Sequence, residues 1–436
     1  MKIGRLAKLC GVSVATVRYY VSMGMLIPND SSAQYDFSER EVEDLNLILK
    51  MRKHQFKLKE IQQYLILTRH SRMIEPSTIN AALTILETKQ QEIFSEIEEL
   101  KNSYREIGEE IHNLREKGTA ERRVTGVPVS ALPLFACPYC GESLNIEDAE
   151  IKNGYIISGK LVCSGHGNGT CEKKYEAKIV DGIVETGNLY TGIYDHPDLK
   201  RGLYRDMGPE FSFCFQRCYD RVTESLMKDD MNGKVFLEAN INGYFYMYNH
   251  LGLLPANSTL ILIDKYPEIL RMYKALIEQC DIKCQILYIA DAGTDYPLKS
   301  SCVDRYITFC GEGEYMLYHQ NCYLMDAARY FKEDVRVYGT YLSYDRTAKS
   351  RKNLLQKYPE SSSRGFQMEY LMEDYKKCGY EMAIEQMGAI TDCGARVYAF
   401  SCQVIGEVLR IYSIVAWQKG HKPDNLLICG MCEKRR

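Results

Sequence analysis

Apolar positions at the start of the chain recur at helical spacing. Ile3, Leu6, Ala7 and Cys10 fall on one helical face, Gly11 breaks the pattern, and Ser13 stands where it can cap a second helix beginning at Val14. The spacing predicts helix, tight turn, helix. Further on, Ile79, Leu83, Leu86, Gln90, Ile93, Ile97, Leu100, Tyr104, Ile107, Ile111 and Leu114 are separated by alternating steps of four and three residues, a heptad seam. Charged outer positions such as Glu92, Glu96, Glu98, Glu99 and Lys101 leave only a narrow stripe to bury, which a second copy of the chain fits best. Gln90 in that seam costs stability and can set register or orientation. From Val235 the pattern changes to short apolar strands, Val235 to Leu237, LILID, ILYIADAG and DRYITFC, alternating with helical patterns such as Tyr266 to Glu278. That alternation predicts a doubly wound α/β sheet, whose ligands bind at the carboxyl ends of the strands. Three acids, Glu238, Asp264 and Asp291, close such strands, although each alone serves equally well as a helix cap or turn residue.

A length of 436 residues, 45% hydrophobic and 26% charged, is expected to form two to four ordinary globular domains. No apolar run approaches the roughly 18 residues of a membrane helix, and the opening MKIGRLAKLC lacks the apolar core of a secretory signal, so the expectation is a cytoplasmic protein. The formal charge of -3 conceals a basic module: through Glu75 there are 12 Lys and Arg against eight Asp and Glu. Seventeen cysteines are too sparse for a disulfide scaffold and are expected to be mostly reduced thiols.

Some cysteines are spaced for metal. Cys137 and Cys140 in CPYC place two thiolates across a tight turn, a zinc-knuckle half-site. Cys163 and Cys171, beyond a hairpin built on Gly154, are the candidate second pair; their seven intervening residues exceed the usual spacing and make His166 a competing ligand. Four such ligands would hold one structural zinc. A further pair, Cys429 and Cys432, sits near the basic end with no partner pair and reads as tail.

The stretch GRLAKLCGVSVATVRYYVSMGMLIP, followed by QYDFSEREVEDL and FKLKEI, resembles the MerR family of transcription regulators over residues 1 to about 68. The resemblance implies a winged helix-turn-helix, a helical pair and a long dimerisation helix packed antiparallel in a homodimer, with promoter DNA and RNA polymerase as partners. Ser13, Ala15, Thr16, Arg18, Tyr19 and Tyr20 on the recognition helix and Tyr35 in the wing are then the DNA-facing residues. The wing departs from the family's glycine, tyrosine, arginine run in having Gln34, Tyr35 and Asp36. YEAKIVDGIV resembles the tail of small zinc ribbons that precede some class I methyltransferases, and residues 208 to 420 resemble those enzymes, through the strands above and through YGTYLSYDRTAKS, YLMEDYKKCGYE and RIYSIVAW.

By that resemblance S-adenosylmethionine would meet Glu238, Asn240 and Gly243, with Asp264 at the ribose and Asp291 at the adenine. The glycine-rich loop is altered: Asn240, Asn242 and Tyr244 occupy it, with Gly243 out of phase. Asparagine can supply a positive φ but not close backbone approach. Tyr244, Phe245, Tyr246 and Tyr248 crowd the same place, as core or as a wall for another ligand. No general base is legible, His250, His319 and Asp345 being loose candidates. The expected organisation is therefore a DNA-binding domain over 1–75, a coiled coil over 76–123, a zinc ribbon over 130–187, a methyltransferase-like domain over 208–420 and a tail over 421–436. The altered loop favours a regulator whose C-terminal domain senses a small molecule; the alternative is an active methyltransferase with a DNA-binding head, and a third reading is a DNA-bound scaffold.

Overall fold

A computed structural model describes residues 1–29, 35–70, 75–117, 123–166, 171–201, 206–394 and 398–423. Cys429 and Cys432, and Gln34 in the wing, lie outside them. The chain forms two compact units, Met1–Ala120 and Glu121–Arg436.

The first unit is helical: α1 (Ile3–Leu9), α2 (Val14–Ser22), α3 (Glu39–Lys53), α4 (Leu58–His70) and α5 (Pro76–Lys117). Gly11 supplies the turn between α1 and α2 with φ +69°. Ser13 then caps α2, its hydroxyl accepting the Thr16 amide at 3.0 Å. Ser38 and Glu41 form a reciprocal capping box at the start of α3. Leu6, Val17, Phe37, Leu45, Ile48 and Ile61 make the core. Arg69 locks the far end of α4 inward, reaching Asp44 at 2.6 Å and the carbonyl of Met25 after α2. The 42-residue α5 turns Thr78, Ala82, Ile85 and Lys89 inward; Lys89 bridges to Glu60 of α4 at 3.1 Å. That buried stripe is not the heptad seam. Leu86, Ile97, Leu100, Ile107 and Leu114 of the seam remain 39%, 44%, 63%, 61% and 58% exposed.

The second unit is built on one continuous sheet. Its strands are β1 (Val127–Pro128), β2 (Leu144–Lys152), β3 (Tyr155–Cys163), β4 (Glu176–Val180), β5 (Ile183–Glu185), β6 (Val235–Ala239), β7 (Thr259–Asp264), β8 (Gln285–Ala290), β9 (Val303–Phe309), β10 (Phe331–Tyr344), β11 (Tyr380–Ile390) and β12 (Leu409–Gln418). The helices are α6 (Pro209–Met227), α7 (Pro267–Ile277), α8 (Gly311–Tyr315), α9 (Tyr323–Asp326), α10 (Lys349–Lys357) and α11 (Met368–Lys377). The order is β1-β3-β4-β5-β8-β7-β6-β9-β10-β12-β11, with β2 paired to β3. From β8 to β10 all neighbours are parallel, and β12 is inserted antiparallel between β10 and β11. This is a doubly wound, Rossmann-like arrangement.

Side chains alternate between two cores because successive strand residues point to opposite faces. Phe236, Leu260 and Tyr288 pack on one face with α6 and α7, and Leu237, Ile261 and Leu287 on the other with α11. The ribbon hairpins turn on Asn153–Gly154 and Asp181–Gly182, both residues of each pair having positive φ, the geometry that suits the strand twist. The ribbon is joined to the main sheet by a parallel ladder pairing Ile183, Val184 and Glu185 with Tyr288, Ile289 and Ala290.

Candidate functional site

In the helical unit, α2 divides into two faces. Val17 and Tyr20 point into the core, while Ala15, Arg18 and Tyr19 are exposed and Thr16 is half-buried. Tyr20 is thus a correction to the sequence reading: at 7% exposure its ring holds α2 in the core, packed 5.8 Å from the ring of Tyr19. Tyr35 stays 38% exposed beside Phe37. Asp36, at the wing's divergent position, takes the terminal ammonium of Met1 at 2.6 Å, and Lys2 pairs with Asp36 as a short β-bridge.

In the second unit the four expected cysteines converge. Their Sγ atoms all lie within 4.8 Å of one another. Cys137 and Cys171 are separated by 3.8 Å and Cys140 and Cys163 by 3.4 Å, too far for disulfides. A tetrahedral zinc with Zn–S of about 2.3 Å has sulfur–sulfur edges of about 3.8 Å, so this donor set fits zinc. The knuckle is closed by Gly141, whose amide donates to the Cys137 carbonyl at 2.9 Å with φ +78°. Crowding divides the thiols. Burial and the neighbouring Cys140 push Cys163 up to about 12. Cys171, whose burial is opposed by hydrogen bonding with the Tyr175 backbone and the Cys137 thiol, is brought down to about 7. Four thiolates at this spacing need a cation between them. The side chain of His166 lies outside the described residues.

The strand ends hold the three acids, but each is engaged within the protein. Glu238 accepts the Tyr246 and Met247 amides at 2.7 and 2.9 Å, and its burial raises it to about 8. Asp264 accepts the amides of Asn242 and Tyr266 at 2.7 and 2.9 Å, is 1% exposed, and is raised by burial to about 7. Asp291 accepts the Thr186 hydroxyl at 2.5 Å, the Asn188 side-chain amide at 3.1 Å and the Gly293 amide at 2.6 Å. Asn240 does take a positive φ of 61°, but Asn242 is turned to accept the Asp198 amide at 2.9 Å, and Gly243 sits against Glu314. In this arrangement the cleft residues do not fit S-adenosylmethionine, because the carboxylates that would meet ribose and adenine are closed off. The loose base candidates are engaged apart from one another: His250 with Thr223 and the Tyr246 carbonyl, His319 stacked on Tyr315, and Asp345 with Arg410.

Residues 188–201, a stretch left unassigned between the expected ribbon and sheet domains, add contacts here: Asn188 bonds Asp291, and the Asp198 amide bonds Asn242. Asp195 reaches Lys265, which directly follows Asp264; the ammonium lies 3.2 Å from Asp195 and 3.1 Å from Glu314. The rings of Tyr190, Tyr266 and Tyr318 surround it, with Tyr318 centred at 3.4 Å. Sequence reasoning missed Lys265 because its partners lie about 50 and 70 residues away and meet only through the fold.

Residues 1–66 match the profile described as MerR HTH family regulatory protein. The N-terminal segment is a MerR-type helix-turn-helix domain. Among solved structures, this MerR-type domain is similar to the transcription regulator PbrR691 from Ralstonia metallidurans in complex with lead(II), with 30% identity over 24% of this chain and 86% of that one and a TM-score of 0.19. It is also similar to HiNmlR, a MerR family regulator bound to promoter DNA, with 24% identity over 24% of this chain and 77% of that one and a TM-score of 0.20. Elsewhere the chain is similar to phosphoethanolamine N-methyltransferase 2 of Haemonchus contortus in complex with S-adenosyl-L-methionine, with 11% identity over 46% of this chain and a TM-score of 0.33, and it spans about half of that enzyme, 52%. No curated protein sequence matches the chain. Among the described residues, no helix is long and apolar enough to cross a membrane.

Proposed function

We propose that this protein is a dimeric, DNA-binding transcription regulator whose methyltransferase-like domain serves as a small-molecule sensor. The observation that carries the DNA-binding part is the exposed outer face of α2 within the MerR-type domain. Ala15, Thr16, Arg18 and Tyr19 would meet base edges in the major groove, Ser13 would start the helix at the backbone, and Tyr35 would contact phosphate from the wing. Two such heads, joined by the open seam of α5, would read a two-fold symmetric promoter site with RNA polymerase as the downstream partner. The cysteine cluster would hold a structural zinc, since four thiolates leave no open coordination position for a reactive water.

The sensor reading is supported by the closed strand-end acids, which leave the methionine, ribose and adenine positions without open partners. The alternative is an active S-adenosylmethionine-dependent enzyme, favoured by the retained strand order with Asp264 and Asp291 at its ends. A methyl-transfer assay with labelled S-adenosylmethionine, run beside a promoter gel shift, separates them. DNA binding without turnover is expected; measurable methyl transfer to a defined acceptor would establish the enzyme reading.

A further inference from the structure

After β5 the chain runs past the carboxyl ends of β8, β7 and β6, and it touches them in the order in which they lie in the sheet. At the end of β8 the Asn188 carbonyl accepts the Ala292 amide at 2.7 Å, and the Asn188 side chain donates to Asp291. At the end of β7 the Asp195 carboxylate meets the Lys265 ammonium and accepts the Tyr266 hydroxyl at 3.2 Å, while the rings of Tyr190 and Tyr318 pack 4.8 Å apart. At the end of β6 the Asp198 amide and the Arg201 guanidinium donate to the side chain and the carbonyl of Asn242, each at 2.9 Å. Residues 188–201 contain no helix or strand, so side chains and single bonds hold the crossing where a ladder would hold a strand. The burial along it is inverted. Asp195 goes in, at 8% exposure, while Ile193 and Leu199 stay out, at 88% and 51%. The return of the chain over Tyr190 also depends on Gly192, where a Cβ would lie 2.2 Å from the Tyr190 hydroxyl.

We propose that residues 188–201 are a displaceable strap, closed across the strand ends by the Asp195–Lys265 latch, and that its release bares Lys265 and Asp291 at the cleft. A buried ion pair with its hydrogen bonds is strong only while every member is seated, so the latch favours a closed and an open position over gradual loosening. Apolar side chains left in solvent and a charged one turned inward suit a segment that leaves its seat by local opening, with the sheet beneath it intact. The purpose of such a strap, to gate a ligand's entry, rests on the sensor reading above; its opening is a property of the chain without ligand.

The test uses the full chain without ligand and two readouts by mass spectrometry: hydrogen exchange of the strap and of β7, and labelling of Lys265 by an amine-reactive acetyl ester. In the unaltered chain the strap amides are expected to exchange faster than those of β7, and Lys265, 6% exposed, to be labelled slowly. Asp195→Ala removes the latch and should raise both strap exchange and Lys265 labelling by about tenfold or more, the worth of one charge-assisted hydrogen bond, with β7 exchange and the melting temperature nearly unchanged. Gly192→Ala should reach the same state without removing a charge, by forcing the Tyr190 ring from its place. Strap amides protected as long as those of β7 in the unaltered chain would overturn the proposal, as would Lys265 labelling that neither variant raises. Equal gains in exchange for strap and β7 in both variants would overturn it too, by making the segment a fixed part of the sheet. DNA binding, ligand binding and methyl transfer are not read here, so failure of the strap leaves the sensor reading standing, and failure of the sensor reading leaves the strap.

Discussion

Arg18 and Ser13 show how neighbouring residues on one helix carry separable tasks. Arg18 is exposed on α2 and makes no capping bond, so Arg18→Ala is expected to leave thermal stability nearly unchanged while weakening specific promoter binding by roughly 1 to 3 kcal/mol if it reads a base. A gel shift beside a melting curve checks both halves. Ser13→Ala instead removes the acceptor for the Thr16 amide and should cost about 1 kcal/mol of stability in the helical unit. Buried carboxylates predict a pH dependence. Burial raises Asp264 and Glu312 to about 7 and Glu238 to about 8, against roughly 4 for a free carboxyl. Between those values the folded state holds more protons than the unfolded state, so stability of the second unit should fall as pH rises from about 5 to 8. Glu312, which accepts from Tyr375 at 2.9 Å and the Tyr323 amide at 2.7 Å, is the cleanest probe: Glu312→Gln should flatten the fall in denaturant midpoint over that window. A steeper fall in the variant would contradict the assignment.

Among elements, α5 is the most informative. Its two stripes have different partners: Ala82 and Ile85 pack toward the rest of the helical unit, and the seam through Ile97 and Ile107 faces solvent in the single chain. Ile107→Glu is therefore expected to convert a dimer to a monomer by light scattering without lowering the melting temperature of the isolated fold. Ile85→Asp should do the reverse locally, destabilising the helical unit by roughly 2 kcal/mol or more because it buries a charge against α4. The heptad spacing made the exposed stripe legible in the sequence, since a period of 3.5 residues survives without knowledge of any neighbour. Lys89 was not legible: it lies outside the seam, yet it is buried by its pairing with Glu60 and contact with the Phe56 ring.

At the scale of the molecule, the thiol cluster and the sheet share one support. Cys163 ends β3, and β3 is linked through β4 and β5 to β8, so the proposed zinc would brace the same sheet that carries the strand-end acids. Treatment with a strong chelator should lower the unfolding temperature of the second unit by several degrees and leave the α1 to α5 transition unchanged in calorimetry. Loss of zinc without any shift would mean the hairpins hold their geometry alone. The sequence by itself determined the periodic features: the capped helix-turn-helix, the seam of α5, the knuckle cysteines and the apolar strands with acids at their ends. Each rests on contacts or spacings a few residues apart, where local geometry leaves few alternatives. Only the tertiary structure decided that Tyr20 faces inward, that ribbon and sheet are continuous, and that Asp291 is engaged by Thr186 and Asn188 and Asp264 by the amides of Asn242 and Tyr266. Those outcomes depend mainly on partners tens of residues apart, whose meeting is settled by how the faces of the sheet are covered and not by any local pattern.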